Sequence, residues 1–182
     1  MTLTTILYIG IPFLFIIFLI TLYNKLNTTR NQIENAKSSL DALFIKRVDL
    51  IPNLVTVTKQ YMSYESDLLD KITRLRQEKS TNTDYQKDGE LSDLMKKVMI
   101  QVENYPELKA SQQFVNLQYS WNEVEEQISA GRRYLSASIT QYNDAVRTFP
   151  SNIVAGMFRF KIHEWERATE EQRKALDAKD LF

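Results

Sequence analysis

No charged side chain precedes Lys25, and that gap constrains the chain more than anything else in it. Ile6–Leu7–Tyr8–Ile9 and then Ile11 to Tyr23 form an almost continuous apolar run. An α-helix of about 20 residues crosses the hydrocarbon core of a bilayer. In lipid, a single run can satisfy its backbone only as a helix. Residues 1–24 are therefore expected to be a single transmembrane anchor. A cleaved signal peptide would open on basic residues and close on a small-residue cleavage site. Met1 to Thr5 has no Lys or Arg, and Thr21–Leu22–Tyr23–Asn24 has no such site. Pro12 lies inside the run, where a missing N–H is tolerated in a span.

Lys and Arg near the ends of a span set its orientation. The terminal amine stands on one side; Lys25, Arg30 and Lys37 stand on the other. The expected topology is a cell-membrane protein with its short N-terminus outside and its body in the cytoplasm. The body holds 23 basic and 23 acidic residues, a net charge of zero. That balance argues against nucleic acid as a partner, since phosphate recognition wants a basic excess. No cysteine occurs, so disulfides and thiolate metal sites are excluded. Four glycines and four prolines in 182 residues suit long helices.

Helical spacing runs through the body. Leu26, Thr29, Ile33, Ala36, Leu40 and Leu43 recur in steps of three and four, placing them on one face. Nothing between Tyr23 and Leu26 breaks a helix, so anchor and first body helix read as one rod. Pro52 then predicts a kink or a new start, with Asp49 as a possible cap. The second helix continues through Leu54, Thr58, Tyr61, Glu65, Leu68, Ile72 and Leu75. Ser80 to Gly89 is polar and reads as an exposed loop. A short helix follows from Glu90 to about Asn104, with Leu91, Leu94, Met95, Val98 and Val102 inward, and Pro106 ends it.

A last long helix opens near Glu107. Leu117, Trp121, Val124, Ile128, Gly131, Leu135, Ser138, Tyr142, Ala145 and Phe149 alternate four and three without a slip. This is a heptad seam of the coiled-coil kind. The expected fold is all-α: one transmembrane helix, then an antiparallel bundle of three to four long helices over residues 25–152. Residues 153–182 form an apolar segment, IVAGMFRFKI, and a charged tail. Three placements suit that end: against the bundle, on the membrane, or on a partner.

Catalytic patterns are missing. His163 begins HEWER, but Arg167 stands where a zinc-binding H-E-x-x-H needs its second histidine. Phosphate loops and nucleophile elbows do not occur. Glu123, Glu125 and Glu126 read as a solvated helix face. Lys46–Arg47 and Arg132–Arg133 read as surface charges or partners of nearby acids, with a phosphate or lipid-headgroup contact as the alternative. No cofactor is expected.

Three phrases stand in order behind the apolar run: KRVDLIPNLV, ENYPELKASQQFVNLQ and GRRYLSASITQYNDAVRTFPSN. Together they resemble the LemA family of bacterial membrane proteins, over most of the chain to about Asn152. The resemblance implies a helical bundle on one anchor, with no established enzymatic activity. A related protein of the magnetosome membrane and the envelope genes near relatives imply membrane organisation and an envelope partner. The matched polar and aromatic residues become the candidate interaction set: Asp49, Pro52, Asn53, Tyr105, Pro106, Arg132, Arg133, Tyr142, Asn143, Phe149 and Pro150. Lys37 and Val48 depart from the family, which often has aromatics there, and the charged tail after Phe160 departs from its usual ending.

The reading is a non-enzymatic scaffold or adaptor whose exposed seams recruit further copies of itself (a homo-oligomer) or another envelope membrane protein. The alternative is a membrane-remodelling or lipid-sensing protein that oligomerises on the bilayer.

Overall fold

A computed structural model describes residues 3–61, 74 and 86–164. Among these, every regular element is a helix: α1 (Leu3–Val48), α2 (Ile51–Lys59), α3 (Gln86–Val102), α4 (Pro106–Lys109), α5 (Gln112–Arg147) and α6 (Ser151–Met157). The fold is all-α. Expected positions Glu65, Leu68, Ile72 and Leu75, the loop from Ser80 to Tyr85 and the tail beyond Glu164 lie outside the described residues, as does the side chain of Leu94.

The apolar run and the first body helix are one element of 46 residues with Pro12 inside it. Its apolar window has a mean hydropathy of 1.9, and 6% of that window is buried. By length and composition it can cross a membrane. Further along, burial follows the expected seam: Leu26, Thr29, Ile33, Ala36 and Leu40 are all 3% exposed or less. Thr29 sits there at little cost because its Oγ1 donates to the carbonyls of Lys25 and Leu26, both at 3.0 Å. Thr58 and Ser138 do the same, donating to Leu54 O at 2.7 Å and Tyr134 O at 2.9 Å. A buried hydroxyl that bonds its own helix needs no tertiary partner.

α1 stops at Val48. Asp49 N–H and Leu50 N–H still reach back to Ile45 O and Arg47 O, at 3.0 and 3.2 Å. Pro52 has no N–H to continue the ladder, and α2 starts with that proline in its first turn. The cap residue is Leu50, which makes no side-chain cap bond, so Asp49 does not serve as the N-cap. Backbone turning and proline suffice at this bend.

Two boundaries differ from expectation. α3 begins at Gln86, so residues 86–89 are helical where a loop was read. Gln, Lys and Glu are good helix formers, and one glycine costs only about 1 kcal/mol. The last long helix is preceded by a separate turn, α4, ended at Ala110–Ser111. Ser111 O then accepts the first bond of α5, from Val115 N–H at 3.0 Å.

The described residues fall into two compact units: those before 40 with those after 130, and those from 40 to 130. The core of the second unit gathers Ile51, Leu54 and Val57 of α2, Leu91, Met95, Val98 and Val102 of α3, Leu108 of α4, and Phe114, Leu117 and Trp121 of α5. Each large side chain contributes roughly 1.5–3 kcal/mol on burial. In the first unit Leu26 packs with Ala145, Val154 and Ala155, with Leu19, Leu22, Val146 and Phe160 around them. The α5 seam is buried from Leu117 to Ala145, with Gly131 half-buried. Its last expected member, Phe149, is 74% exposed. The helix has ended at Arg147, so residue 149 no longer follows the heptad.

Arg47 follows the second of its two readings, a partner of an acid, and at 1% exposure it is not a surface charge. Its Nη1 pairs with Glu125 Oε1 at 2.9 Å and meets Ser92 Oγ at 3.2 Å. Ser92 Oγ donates to the same carboxylate oxygen at 3.1 Å. The guanidinium also lies 5.5 Å from the Phe44 ring centre and 5.9 Å from that of Trp121. Its neighbour Lys46 stays exposed, reaching Gln127 at 3.4 Å and Glu123 at 3.9 Å. Replacing Arg47 by Ala should destabilise the chain by about 3 kcal/mol, because it strands Glu125 and opens a void beside Trp121. Arg47→Met keeps the stem volume and should cost less than half of that. Urea unfolding of both variants checks this, and equal losses would contradict a packing role for the stem.

Candidate functional site

The candidate residues divide between the two units. Around the first bend, Asp49 and Asn53 are exposed and Pro52 is half-buried. Their apolar companions Ile51 and Leu54 are 1% exposed and belong to the core. Tyr105 is the residue before α4, half-buried and packed on that core, and Pro106 opens α4 on the surface. These residues shape bends.

The other unit brings two candidates together in a defined site. Tyr142 and Asn143 lie next to each other on α5, at 4% and 1% exposure. The adjacency follows from a seam two residues wide, in which Ile139, Tyr142 and Asn143 all face inward. Their partner is the chain beyond α6. Tyr142 donates from its hydroxyl to Lys161 O at 2.8 Å. Asn143 donates from Nδ2 to His163 O at 2.8 Å, and its Oδ1 accepts from His163 N–H at 2.8 Å. The asparagine amide thus pairs with both backbone groups of one residue, as a neighbouring strand would.

α6 delivers the segment to this clamp. Its end is a Schellman motif: Phe160 N–H bonds Ala155 O at 2.9 Å, and Arg159 N–H bonds Gly156 O at 3.3 Å. The motif demands a left-handed residue, and Arg159 supplies it with φ of 57°. Glycine usually fills this place, and a side chain here costs about 1 kcal/mol. Phe160 is thereby turned onto the Leu26 cluster. Tyr23 of α1 meets Phe158 and Phe160 with ring centres 4.8 and 5.8 Å apart. The segment up to Glu164 therefore packs on the protein, the first of the three placements open to it.

His163 also joins α1. Lys37 Nζ lies 3.3 Å from its Nε2, and its Nδ1 lies 2.9 Å from Glu164 O. One tautomer satisfies both: Nδ1 carries the proton and Nε2 accepts. A departure from the family pattern, Lys37, thus has a specific partner in this chain. A cleft of about 510 Å³ opens between these parts, lined by Tyr23, Arg30, Tyr142, Phe158 and Lys161 among others. Burial holds the Tyr142 phenol above its ordinary pKa, partly offset by the Arg30 charge.

Arg132 and Arg133 are exposed on α5. Arg133 lines a second cleft, of about 780 Å³, with Lys25, Asp144 and Phe149. Phe149 joins Pro150 through a cis peptide bond, and Pro150 is the residue before α6. Sequence reasoning put Tyr142 on the seam and Asn143 in the candidate set but missed their partners. No local signal links Asn143 to a backbone 20 residues on. Arg47 was more accessible, since it follows Leu43 by four on the α1 seam.

Asn143→Ala removes both bonds to His163 and should cost about 1–3 kcal/mol. Asn143→Asp should cost more, since it sets a carboxylate against a carbonyl. Tyr142→Phe should cost about 1 kcal/mol. The fold favours the protonated phenol, so this contribution is complete below about pH 10 and fades as pH rises through the raised pKa. Melting of wild type and variants across pH measures all three. A Tyr142→Phe difference that grew in alkali would contradict the assignment.

Against known proteins, a family model described as the LemA family matches residues 36–179. The chain is 28% identical over 164 residues to Protein LemA of Metamycoplasma hominis, covering 87% of this chain and 74% of that protein. The matched range holds all three phrases and the clamp. It also takes in the tail beyond Phe160, which the phrases alone left out.

Proposed function

Since the chain belongs to the LemA family and carries a membrane-compatible N-terminal helix, we propose that it is a non-enzymatic, membrane-anchored scaffold or adaptor of the bacterial cell envelope. The observation that carries this is the continuity of α1. One helix is apolar and exposed at its start and contributes the core seam at its end. Movement or crowding of the span is then transmitted directly to the body. The division into anchor (1–24), bundle (25–152) and tail (153–182) follows the same logic.

The recruiting surface is not the seam. Its residues are consumed by packing within the chain, which corrects the expectation of exposed seams. Exposed Ile100 and Tyr119, at 68% and 72%, are better placed for a partner. The partner in this reading is a second copy or another envelope membrane protein. Native mass spectrometry of full-length protein, gently extracted from its own membranes, should show a defined complex. A monomer under all mild conditions would sink the scaffold reading.

The orientation in this reading has the body in the cytoplasm, supported by Lys25, Arg30 and Lys37 just past the apolar run. The chain has no cysteine, so Ser120→Cys gives a single label site on α5. In intact cells an impermeant maleimide should leave it unlabelled until the membrane is opened. Immediate labelling would reverse the topology.

The alternative, membrane remodelling or lipid sensing by oligomers on the bilayer, is favoured by the exposed apolar residues around α6.

A further inference from the structure

α6 buries one face and leaves another uncovered. Ser151, Val154 and Ala155 point inward, at 7%, 1% and 2% exposure. Phe149, Ile153 and Met157, spaced by four, are 74%, 56% and 67% exposed, and Phe158 beside them is 56% exposed. A run of four large apolar groups on so short a stretch is unusual for a face turned to water.

Its position supplies the occupant. The inner face packs on Leu26, with Leu19 and Leu22 of α1 against the same cluster. Those α1 residues are the last turns of the charge-free run. At about 1.5 Å per residue, Leu3 to Tyr23 is about 30 Å of helix, the thickness of the hydrocarbon core. A span that fills the core puts α6 at the level where acyl chains meet headgroups. The exposed apolar surface of the span, such as Phe18 at 45% and Ile20 at 52%, is at the same level of α1. Cations accompany it: Lys25 on α1, and Arg159 and Lys161 just after α6, all exposed. Aromatic and apolar groups dipping below a rim of Lys and Arg match the interface of a phospholipid leaflet.

We propose that α6 and its flanking residues are a second membrane contact, an interfacial wedge in which Phe149, Ile153, Met157 and Phe158 enter the leaflet on the body side while Arg159 and Lys161 meet lipid phosphates. The wedge rests on the anchored reading and gives the lipid-sensing alternative a physical surface. It places the clamp at the bilayer surface, so lipid packing there bears directly on the segment that Tyr142 and Asn143 hold.

The cysteine-free chain makes the test direct. Single variants Ile153→Cys and Met157→Cys, both at exposed positions, are labelled with an environment-sensitive fluorophore. The full-length protein is reconstituted into phosphatidylcholine–phosphatidylglycerol vesicles, with Phe15→Cys as the span control and Asn122→Cys as the water control. Circular dichroism verifies the helical fold of each variant. The wedge requires blue-shifted emission at 153 and 157, quenched by lipids brominated near the headgroup end of the acyl chain. Emission at both sites matching Asn122→Cys, with Phe15→Cys quenched, would overturn the wedge and leave the anchor standing. A blue shift without lipid quenching would also overturn it and point to a second copy on this face. Failure of Phe15→Cys to be quenched would instead remove the anchored reading itself, and the wedge with it.

Discussion

One unbroken helix is apolar and exposed at its start and supplies a core stripe further on, and the rest of the fold is arranged around that continuity. In the proposed span α1 closes its backbone hydrogen bonds within itself, as hydrocarbon surroundings require, and can present any apolar side chain outward. Beyond Tyr23 the same rod must hide a stripe and wet the remainder. The change is sharp. Tyr8 through Phe18 is exposed apart from half-buried Gly10, whereas Leu26 and Ile33 are fully buried. No turn separates the two regimes, so the azimuth of the span fixes the azimuth of the seam. The α5 seam is buried in both units, with Leu135, Ile139 and Ala145 in one and Leu117, Trp121 and Val124 in the other, and Ala145 packs on Leu26.

Within that frame, the family phrases separate into three kinds of work. Leu50, Ile51, Leu54, Leu108, Phe114 and Leu117 are packing residues, buried or half-buried. Pro52 and Pro106 start helices, each in a first turn. Tyr142 and Asn143 turn polar atoms to a partner, and that partner is the protein's own backbone. The residue that most resembles a functional group by charge and burial, Arg47, lies inside the second unit with Glu125 and Ser92. Such an arrangement fixes how α1, α3 and α5 meet, since one guanidinium has to touch all three.

How much was legible followed the range of the interaction. Periodicity is local, so Leu26–Leu40 and Leu117–Ala145 could be read as seams, and the continuity of α1 followed from the absence of a breaker. Proline is local too, so the bends at Pro52 and Pro106 were legible. The start of α3 was missed because a polar stretch can be either helix or loop, and propensity alone separates them weakly. The break at Ser111 had no proline or glycine to announce it. Phe149 obeyed the heptad in sequence, yet the helix was already over. Burial of Arg47 and the Asn143–His163 pairing depend on residues 78 and 20 positions away, and only the folded chain brings those together.

The clamp has one further consequence. Tyr142 and Asn143 hold carbonyls and an amide, never a side chain, of residues 161 and 163. The grip is therefore indifferent to which amino acids occupy those places, provided the residue at 163 retains an N–H. The Lys161 side chain is released from any duty in docking and can be tuned for what it faces outside, while the His163 ring keeps its contact with Lys37. The strand-like edge that Asn143 presents is, in chemical terms, a receptor for extended main chain.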